Sequence, residues 1–399
     1  MADLGVLQPL FPEERVLGPL HELSAALIEE CHRLGGQAGV HVARALAPKL
    51  RAMNSYSTNK IEGQHTRPAD IERALRQEFD VDAATASKQR LAVAHMEVEQ
   101  ELEHDVAGAA APGLFSPERV REMHRRLYAK LPPADRVTDE GDPIAPGEYR
   151  RTDVRAGRHV APPWRDVGDL VAGWAGRYRE LPGTERLVIG AACSHQRLCW
   201  IHPFIDGNGR AARLHTHLTL HALGLTHGLW SPMRGLARTR EEYYARLGNA
   251  DLPRRNDLDG RGPLSQEELV AFARYFLAVC IDQVRFMRSM LALDSLHTRL
   301  RGLLLHLRES PWQIGSEKSV VKPEALEALH YVAMTGPVER SRFIAMTGLG
   351  ARTARRVLAS LIDYGVLAAE SSRAPVSFAV PLGALGYLFP RLWPEAESE

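Results

Sequence analysis

A disulfide framework is the first thing this sequence excludes. Its 399 residues hold only four cysteines, Cys31, Cys193, Cys199 and Cys280, with no Cys-x-x-Cys pair among them, a usage that fits a reducing compartment. Long apolar runs are also missing: nothing approaches the ~18 consecutive apolar residues of a membrane span. Met1-Ala2-Asp3-Leu4 has neither the basic start nor the apolar stretch of a secretory leader. A cytoplasmic protein with no membrane partner is the expectation. Charge of one sign is lacking too, because 50 Lys and Arg meet 49 Asp and Glu for a net charge of +1. That balance argues neither for nor against nucleic acid, since a neutral total can hide a local basic face. What is present is ordinary for a globular chain, 45% hydrophobic and 25% charged, and long enough for two or three domains.

The chemistry concentrates in His202-Pro203-Phe204-Ile205-Asp206-Gly207-Asn208-Gly209-Arg210-Ala211-Ala212-Arg213. Gly207 and Gly209 permit backbone angles closed to other residues, so their amides can turn inward as an anion-binding nest. A helix is expected from about Asn208, with Leu214, Leu218 and His221 on one face and Gly224 capping its end. Its positive N-terminus would add to the attraction for an anion. Arg210 and Arg213 fall on one side of the first turns, and two guanidinium forks there suit a chain of phosphates. Asp206 could give a magnesium ion one hard oxygen ligand. His202, which titrates near neutral pH, could take a proton from an attacking hydroxyl.

This stretch matches the signature His-Pro-Phe-x-Asp-Gly-Asn-Gly-Arg-x-x-Arg at all nine of its fixed positions, and in this it resembles the Fic (filamentation induced by cAMP) family. The resemblance implies a mainly helical enzyme that moves AMP from ATP to a hydroxyl of a target protein. His202 then resembles the general base, Phe204 the core anchor of the loop and Asp206 the magnesium ligand. Gly207, Asn208 and Gly209 resemble the phosphate cradle, and Arg210 and Arg213 the clamps on the outer phosphates.

Residues 1–105 read as an N-terminal helical region. Leu20, Leu23, Ala26 and Leu27 mark one amphipathic helix, and Val42, Leu46, Leu50 and Met53 the next. The second runs into Ser57-Thr58-Asn59-Lys60-Ile61-Glu62-Gly63, where Gly63 should stop the helix and Thr58 and Glu62 share a face. This resembles the inhibitory motif of Fic proteins, [Ser/Thr]-x-x-x-Glu-[Gly/Asn]. The implication is that Glu62 pairs with Arg213 and occupies the site of the γ-phosphate. A further helical pattern covers Ala69 to about Glu103.

The expected catalytic domain spans 117–291. Ser116-Pro117-Glu118 is a helix start, with Val120, Met123, His124 and Leu127 following at helical spacing up to Pro132-Pro133. Residues 146–160 are too interrupted for a helix and alternate as a hairpin turning at Ala156-Gly157. In Fic proteins a flap in this place holds the target protein by strand addition. Leu187 to Cys199 is a helix candidate whose His195 reads as buried and structural. His217 and His221 are one turn apart, but no Glu stands beside His217 as a metalloprotease helix requires, and no third zinc ligand is evident. Tyr243 and Tyr244 resemble a tyrosine run that lies near the nucleotide base in Fic proteins, where Tyr244 could stack on adenine. A core role for both tyrosines is the alternative. Leu269 to about Leu291 reads as a long helix closing the domain.

The period is lost between Arg308 and Lys322, which sets a domain boundary. In 320–399, Leu326, Leu329, His330 and Ala333 mark a helix, Arg342 to Met346 a second, and Thr347-Gly348-Leu349-Gly350 turns into a third. That third helix puts Ala354, Val357, Leu358 and Leu361 on one face and Arg352, Arg355 and Arg356 on the other. With Val366-Leu367 and Val376 to Val380 as a small wing, the region looks like a winged helix-turn-helix. Its partner could be DNA, through arginine contacts to phosphates, or a protein, including a second copy in a homodimer.

The leading expectation is therefore a protein adenylyltransferase using ATP and Mg²⁺, held in check by Glu62, whose site could also run in reverse to remove AMP. The alternative is a nucleotide-sensing transcriptional regulator that binds DNA through its C-terminal domain. An intact His202 disfavours a purely sensory core. Transfer of another phosphate-containing group is a third option, and the complete set of Asn208, Gly209, Arg210 and Arg213 favours ATP.

Overall fold

The computed structural model describes residues 3–37, 39–64, 66–310, 312 and 320–392. It is mainly helical, with strands only in two short hairpins. The helices in chain order are α1 (Gly18–Gln37), α2 (Val40–Ile61), α3 (Pro68–Leu75), α4 (Ala83–Asp105), α5 (Pro117–Ala129), α6 (Val167–Arg179), α7 (Gly183–Ile201) and α8 (Asn208–Ala222). They continue with α9 (Pro232–Arg238), α10 (Arg240–Asn249), α11 (Gln266–Met290), α12 (Leu293–Glu309), α13 (Leu326–Thr335), α14 (Arg340–Met346), α15 (Ala351–Asp363) and α16 (Leu382–Leu388). The chain divides into two compact units, residues 1–32 with 51–284 and residues 33–50 with 285–399.

In the first unit α8 is central, packed against α7, α5 and α4. It is buried nearly all round, so the expected one-sided stripe is only part of its contact surface. Leu214 and Leu218 meet Val98 and Leu102 of α4 and Met123 of α5 in one apolar cluster. Truncating Leu218 to alanine should lower stability by about 2–5 kcal/mol, read as a shifted urea midpoint.

The local signals that start and stop these helices act as their chemistry dictates. The Ser116 hydroxyl accepts from the Arg119 amide at 3.1 Å ahead of Pro117 in the first turn of α5. Gly224, at φ +73°, follows α8 and donates its amide back to His221 O. The helical pattern from Ala69 to Glu103 is broken into α3 and α4. Gln77 turns left-handed at φ +64°, and Asp82 re-initiates the helix by accepting from the Thr85 amide at 2.8 Å.

In the second unit α13, α14 and α15 enclose Leu329, Val332, Phe343, Val357 and Leu361. A two-stranded antiparallel sheet, β3 and β4, pairs Leu367 with Phe378 and Ala368 with Ser377. Arg352, Arg355 and Arg356 are exposed on α15. The expected boundary at 308–322 falls partly on 311 and 313–319, and the end of the expected C-terminal domain on 393–399; both lie outside the described residues.

Candidate active site

The signature loop hangs between the end of α7 and the start of α8, and each end is a left-handed residue. His202 closes α7 at φ 52°, ψ 60°, and Gly207 opens α8 at φ 78°, ψ 9°. A non-glycine residue held left-handed stores backbone strain that the surrounding contacts must offset. Phe204 pins the loop from inside: it is fully buried and stacks on the His124 ring at 3.9 Å and 9°. The Asn208 side chain then closes the loop on itself. Its Oδ1 accepts from the Phe204 amide at 2.8 Å, and its Nδ2 donates to the Phe204 carbonyl at 2.9 Å. That side chain is thus spent on the loop, and only its backbone amide remains for a cradle.

His202 is polarised by one contact. Its Nδ1 lies 3.3 Å from the Cys199 carbonyl, which can only accept, so Nδ1 carries the proton and Nε2 the lone pair. Burial, aided by the charges of His159 and Arg150, pushes its pKa down to about 4, so the ring is neutral at physiological pH.

Asp206 keeps 43% of its side chain exposed and faces outward. Burial alone would raise its pKa, but Arg210, the Gly207 amide and the Tyr128 hydroxyl outweigh burial and hold it below the usual carboxylate range. Tyr128 is the hub here, donating to Asp206 Oδ2 at 3.0 Å and accepting from Arg210 Nη1 at 2.8 Å. Beside it, His124 accepts the Gly147 amide on Nδ1 at 2.9 Å, so Nε2 carries the hydrogen donated to the Asp206 carbonyl at 3.1 Å. Tyr128 also explains Gly207: a Cβ there would come within 2.6 Å of the phenol oxygen. Gly207→Ala, combining that clash with an unfavourable φ, should cost about 1–3 kcal/mol, seen as a lowered melting temperature.

Arg213 is 1% exposed and reaches α2. Its Nε donates to Thr58 Oγ1 at 2.7 Å, and its Nη2 donates to the Thr58 carbonyl at 3.3 Å and to Glu62 Oε1. Burial would raise the Glu62 pKa, but Arg213 and Arg210 reverse the shift and keep it ionised. Its carboxylate lies against Gly209, since a Cβ on that glycine would collide with Glu62 Oε1 and approach Arg213 Nη1 at 2.9 Å. Glu62 therefore fills the space over the first turn of α8. Gly63, at φ +77°, ends α2 as its sequence position predicts.

The expected hairpin forms as β1 (Arg155–Ala156) and β2 (His159–Val160), paired antiparallel around Gly157-Arg158. Arg150, within the segment expected to form the hairpin, is buried and ties this region to the loop. Its amide donates to the Pro203 carbonyl at 2.9 Å, and its guanidinium donates to His202 O at 2.8 Å, Thr152 O at 2.9 Å and Pro162 O at 2.5 Å.

The tyrosine pair divides between two roles. Tyr243 is 1% exposed with its hydroxyl on His195 Nε2 at 2.7 Å, so its ring belongs to the core. His195 is buried and hydrogen-bonded at both nitrogens, the other to Thr216 at 2.9 Å. Tyr244 is 42% exposed and donates to the Ile61 carbonyl at 2.9 Å, next to Arg240, which donates to the same oxygen at 2.8 Å. No role in the site was read from sequence for Tyr128, His124 or Arg150; the visible trace is the spacing of His124 and Tyr128, one helical turn apart.

Five buried imidazoles in this unit share a sign. Burial depresses His124, His202 and His215 to about 4 and His95 and His195 to about 3. Unfolding lets each bind a proton below its ordinary value near 6.5. Their stabilising contribution is thus complete above about pH 6.5 and lost as pH falls from there toward 4, at about 1 kcal/mol each by pH 5.5. His217, raised by Glu103, has the opposite sign. A urea midpoint clearly lower at pH 5.5 than at pH 7.5 is the expected result.

Residues 114–220 match the family model described as Fic/DOC family. The Drosophila grimshawi protein named Protein adenylyltransferase Fic is 34% identical over 130 residues, covering 31% of this chain and 23% of that protein. The Culex quinquefasciatus protein of the same name is 35% identical over 126 residues, covering 31% and 22%. The chain therefore spans less than a quarter of the length of these relatives. Among solved structures, a Fic family protein from Desulfovibrio desulfuricans G20 superposes with a TM-score of 0.51 at 18% identity, covering 90% of this chain and 96% of that one, a likeness of fold. No helix among the described residues is long and apolar enough to cross a membrane.

Proposed function

With a Fic domain over residues 114–220 as the premise, we propose that the chain is a protein adenylyltransferase that moves AMP from ATP to a Ser, Thr or Tyr hydroxyl and is restrained by its own Glu62. The observation that carries this reading is the Arg213 guanidinium: it is buried beside the glycine turn, and the carboxylate of Glu62, one residue past α2, already sits on it as a phosphate would.

In the reaction, the target hydroxyl attacks the α-phosphorus of ATP. The new bond forms from that oxygen to phosphorus, the bond from the α-phosphorus to the bridging oxygen breaks, and pyrophosphate leaves. The lone pair on His202 Nε2 receives the hydroxyl proton. Arg210 and Arg213, with the first amides of α8, hold the outer phosphates in place, so catalysis rests on positioning and charge stabilisation. Asp206 is ionised and outward-facing, and would hold magnesium. The bound ion supplies neutralisation of phosphate charge. Tyr244 would give adenine an exposed ring face, and the hairpin at 155–160 would align a target backbone. Glu62 blocks the arrangement by occupying the position of the γ-phosphate.

Incubating the protein with ATP labelled at the α or the γ position tests the reading. Label from the α position alone on protein is expected; label from the γ position would mean kinase chemistry and overturn it.

The exposed arginines of α15, in a stretch where α13, α14 and α15 lead into the β3–β4 hairpin, favour a second role. This stretch reads as a winged helix-turn-helix that contacts DNA phosphates. Affinity for a random duplex that falls with salt, and weakens in Arg355→Ala, is the expected result.

A further inference from the structure

One turn beyond Arg213 on α8, facing α4, lies a second cluster of titratable groups that the transfer reaction leaves unused. α4 carries His95, Glu99 and Glu103 at successive four-residue steps, so the three face one way. His217 meets them from α8. The Nε2 of His217 is 2.9 Å from Glu103 Oε1 and 3.7 Å from Glu99 Oε1, and all three residues are buried. One ligand atom from each lies within 4.8 Å of the others. A tetrahedral ion bound at 2.0–2.1 Å needs ligand atoms roughly 3.3 Å apart, and the two measured spacings bracket that value.

The surroundings resemble the outer shell of a metal site. Arg51 Nη2 donates to Glu103 Oε2 at 2.7 Å, leaving Oε1 turned to His217, and Asn54 Nδ2 donates to Glu99 Oε1 at 2.7 Å. Such partners fix ligating carboxylates in orientation. The second observation is the number of polar atoms left over. Among the described residues, Glu99 Oε2 and both nitrogens of the wholly buried His95 have no hydrogen-bond partner, although His95 Nδ1 is only 3.6 Å from that oxygen. Unpaired polar atoms this deep are costly and rare. The Glu103 edge of the cluster borders a cavity of about 660 Å³, lined also by Arg51, Glu97, Glu101, His104 and His221.

We infer that Glu99, Glu103 and His217 form a binding site for a divalent transition-metal ion such as zinc, with His95 beside its fourth position. The ligands that the sequence did not reveal beside His217 come from α4, and His221 is not among them. The site is separate from Asp206, and the inference stands independently of the transfer reaction. Binding replaces the hydrogen on His217 Nε2, so loading releases protons.

The full chain, stripped with chelator and kept in excess Mg²⁺, is titrated with Co²⁺ and separately with Zn²⁺. One equivalent of Zn²⁺ surviving dialysis, with a tetrahedral Co²⁺ absorption band, is expected. Both should be lost in Glu99→Gln and in His217→Asn, and both kept in Asp206→Ala. Circular dichroism of the metal-free variants separates a lost ligand from a lost fold, and the wild-type titration decides by itself should a variant not fold. No retained Zn²⁺ and no band in the wild type, retention in both cluster variants, or loss in Asp206→Ala would each overturn the inference.

Discussion

Replacing His202 with alanine is expected to cut AMP transfer by about 10²–10⁴-fold, the usual worth of a positioned general base. Labelling with α-labelled ATP measures the loss. The expectation follows from the Cys199 carbonyl, which fixes the proton on Nδ1 and leaves Nε2 as the only basic atom of the ring. Because the residue is left-handed, alanine also carries a backbone cost of roughly 1–2 kcal/mol. His202→Asn is the cleaner partner, since asparagine tolerates that conformation. Equal loss in both variants, with near-native melting of the asparagine form, assigns the effect to proton transfer. The pH profile carries a second signature. With a pKa near 4, the ring is unprotonated over the whole neutral range, so the rate should stay level above about pH 5.5 and fall as pH drops through 4. A fall centred near 6.5 would mean that the base is not this buried imidazole.

Glu62→Gly is expected to raise transfer, with self-labelling by α-labelled ATP as the measurement. A hydrogen bond to a charged group is worth about 1.5–3 kcal/mol, so removing the Glu62 competitor from Arg213 should give roughly a 10- to 100-fold increase at limiting ATP. Glu62→Gln separates charge from bulk: it keeps the side chain over Gly209 and removes the ionic attraction, so an intermediate gain is expected. No gain in either variant would sink the restraint. Arg213→Ala should stay low even in the Glu62→Gly background, because the clamp is then missing as well as its competitor.

The parts of this site that could be read from sequence are local ones. The loop from His202 to Arg213, the start of α8 at Asn208 and the stop at Gly63 depend on near neighbours in the chain. The pairing of Glu62 with Arg213 spans 151 residues and became legible only through the resemblance to known motifs. Tyr128 had no such guide, and the resemblance around Arg150 reached only as far as a hairpin. A tyrosine at core spacing looks the same whether or not its hydroxyl meets Asp206 and Arg210 across 78 and 82 residues. Arg150 sits in an alternating polar stretch, where nothing in the pattern says that five backbone carbonyls await it. Helical spacing does not separate Tyr243 from Tyr244 either, since adjacent residues point about 100° apart and only tertiary packing decides which one is buried.

Arg150 has one more implication. The same residue grips the backbone of the base and the root of the hairpin, and His159 of β2 donates to the Trp200 carbonyl at 2.7 Å, so an extended peptide laid along that hairpin would be referenced to His202 through two side chains. Selection of the acceptor would then be metric: an alcohol is modified because it sits at the correct number of residues along the strand, whatever its immediate neighbours are. Shifting a docked peptide by two residues, which keeps its side chains on the same face, moves the accepting position by about 6.6 Å and should transfer modification to whichever alcohol arrives there.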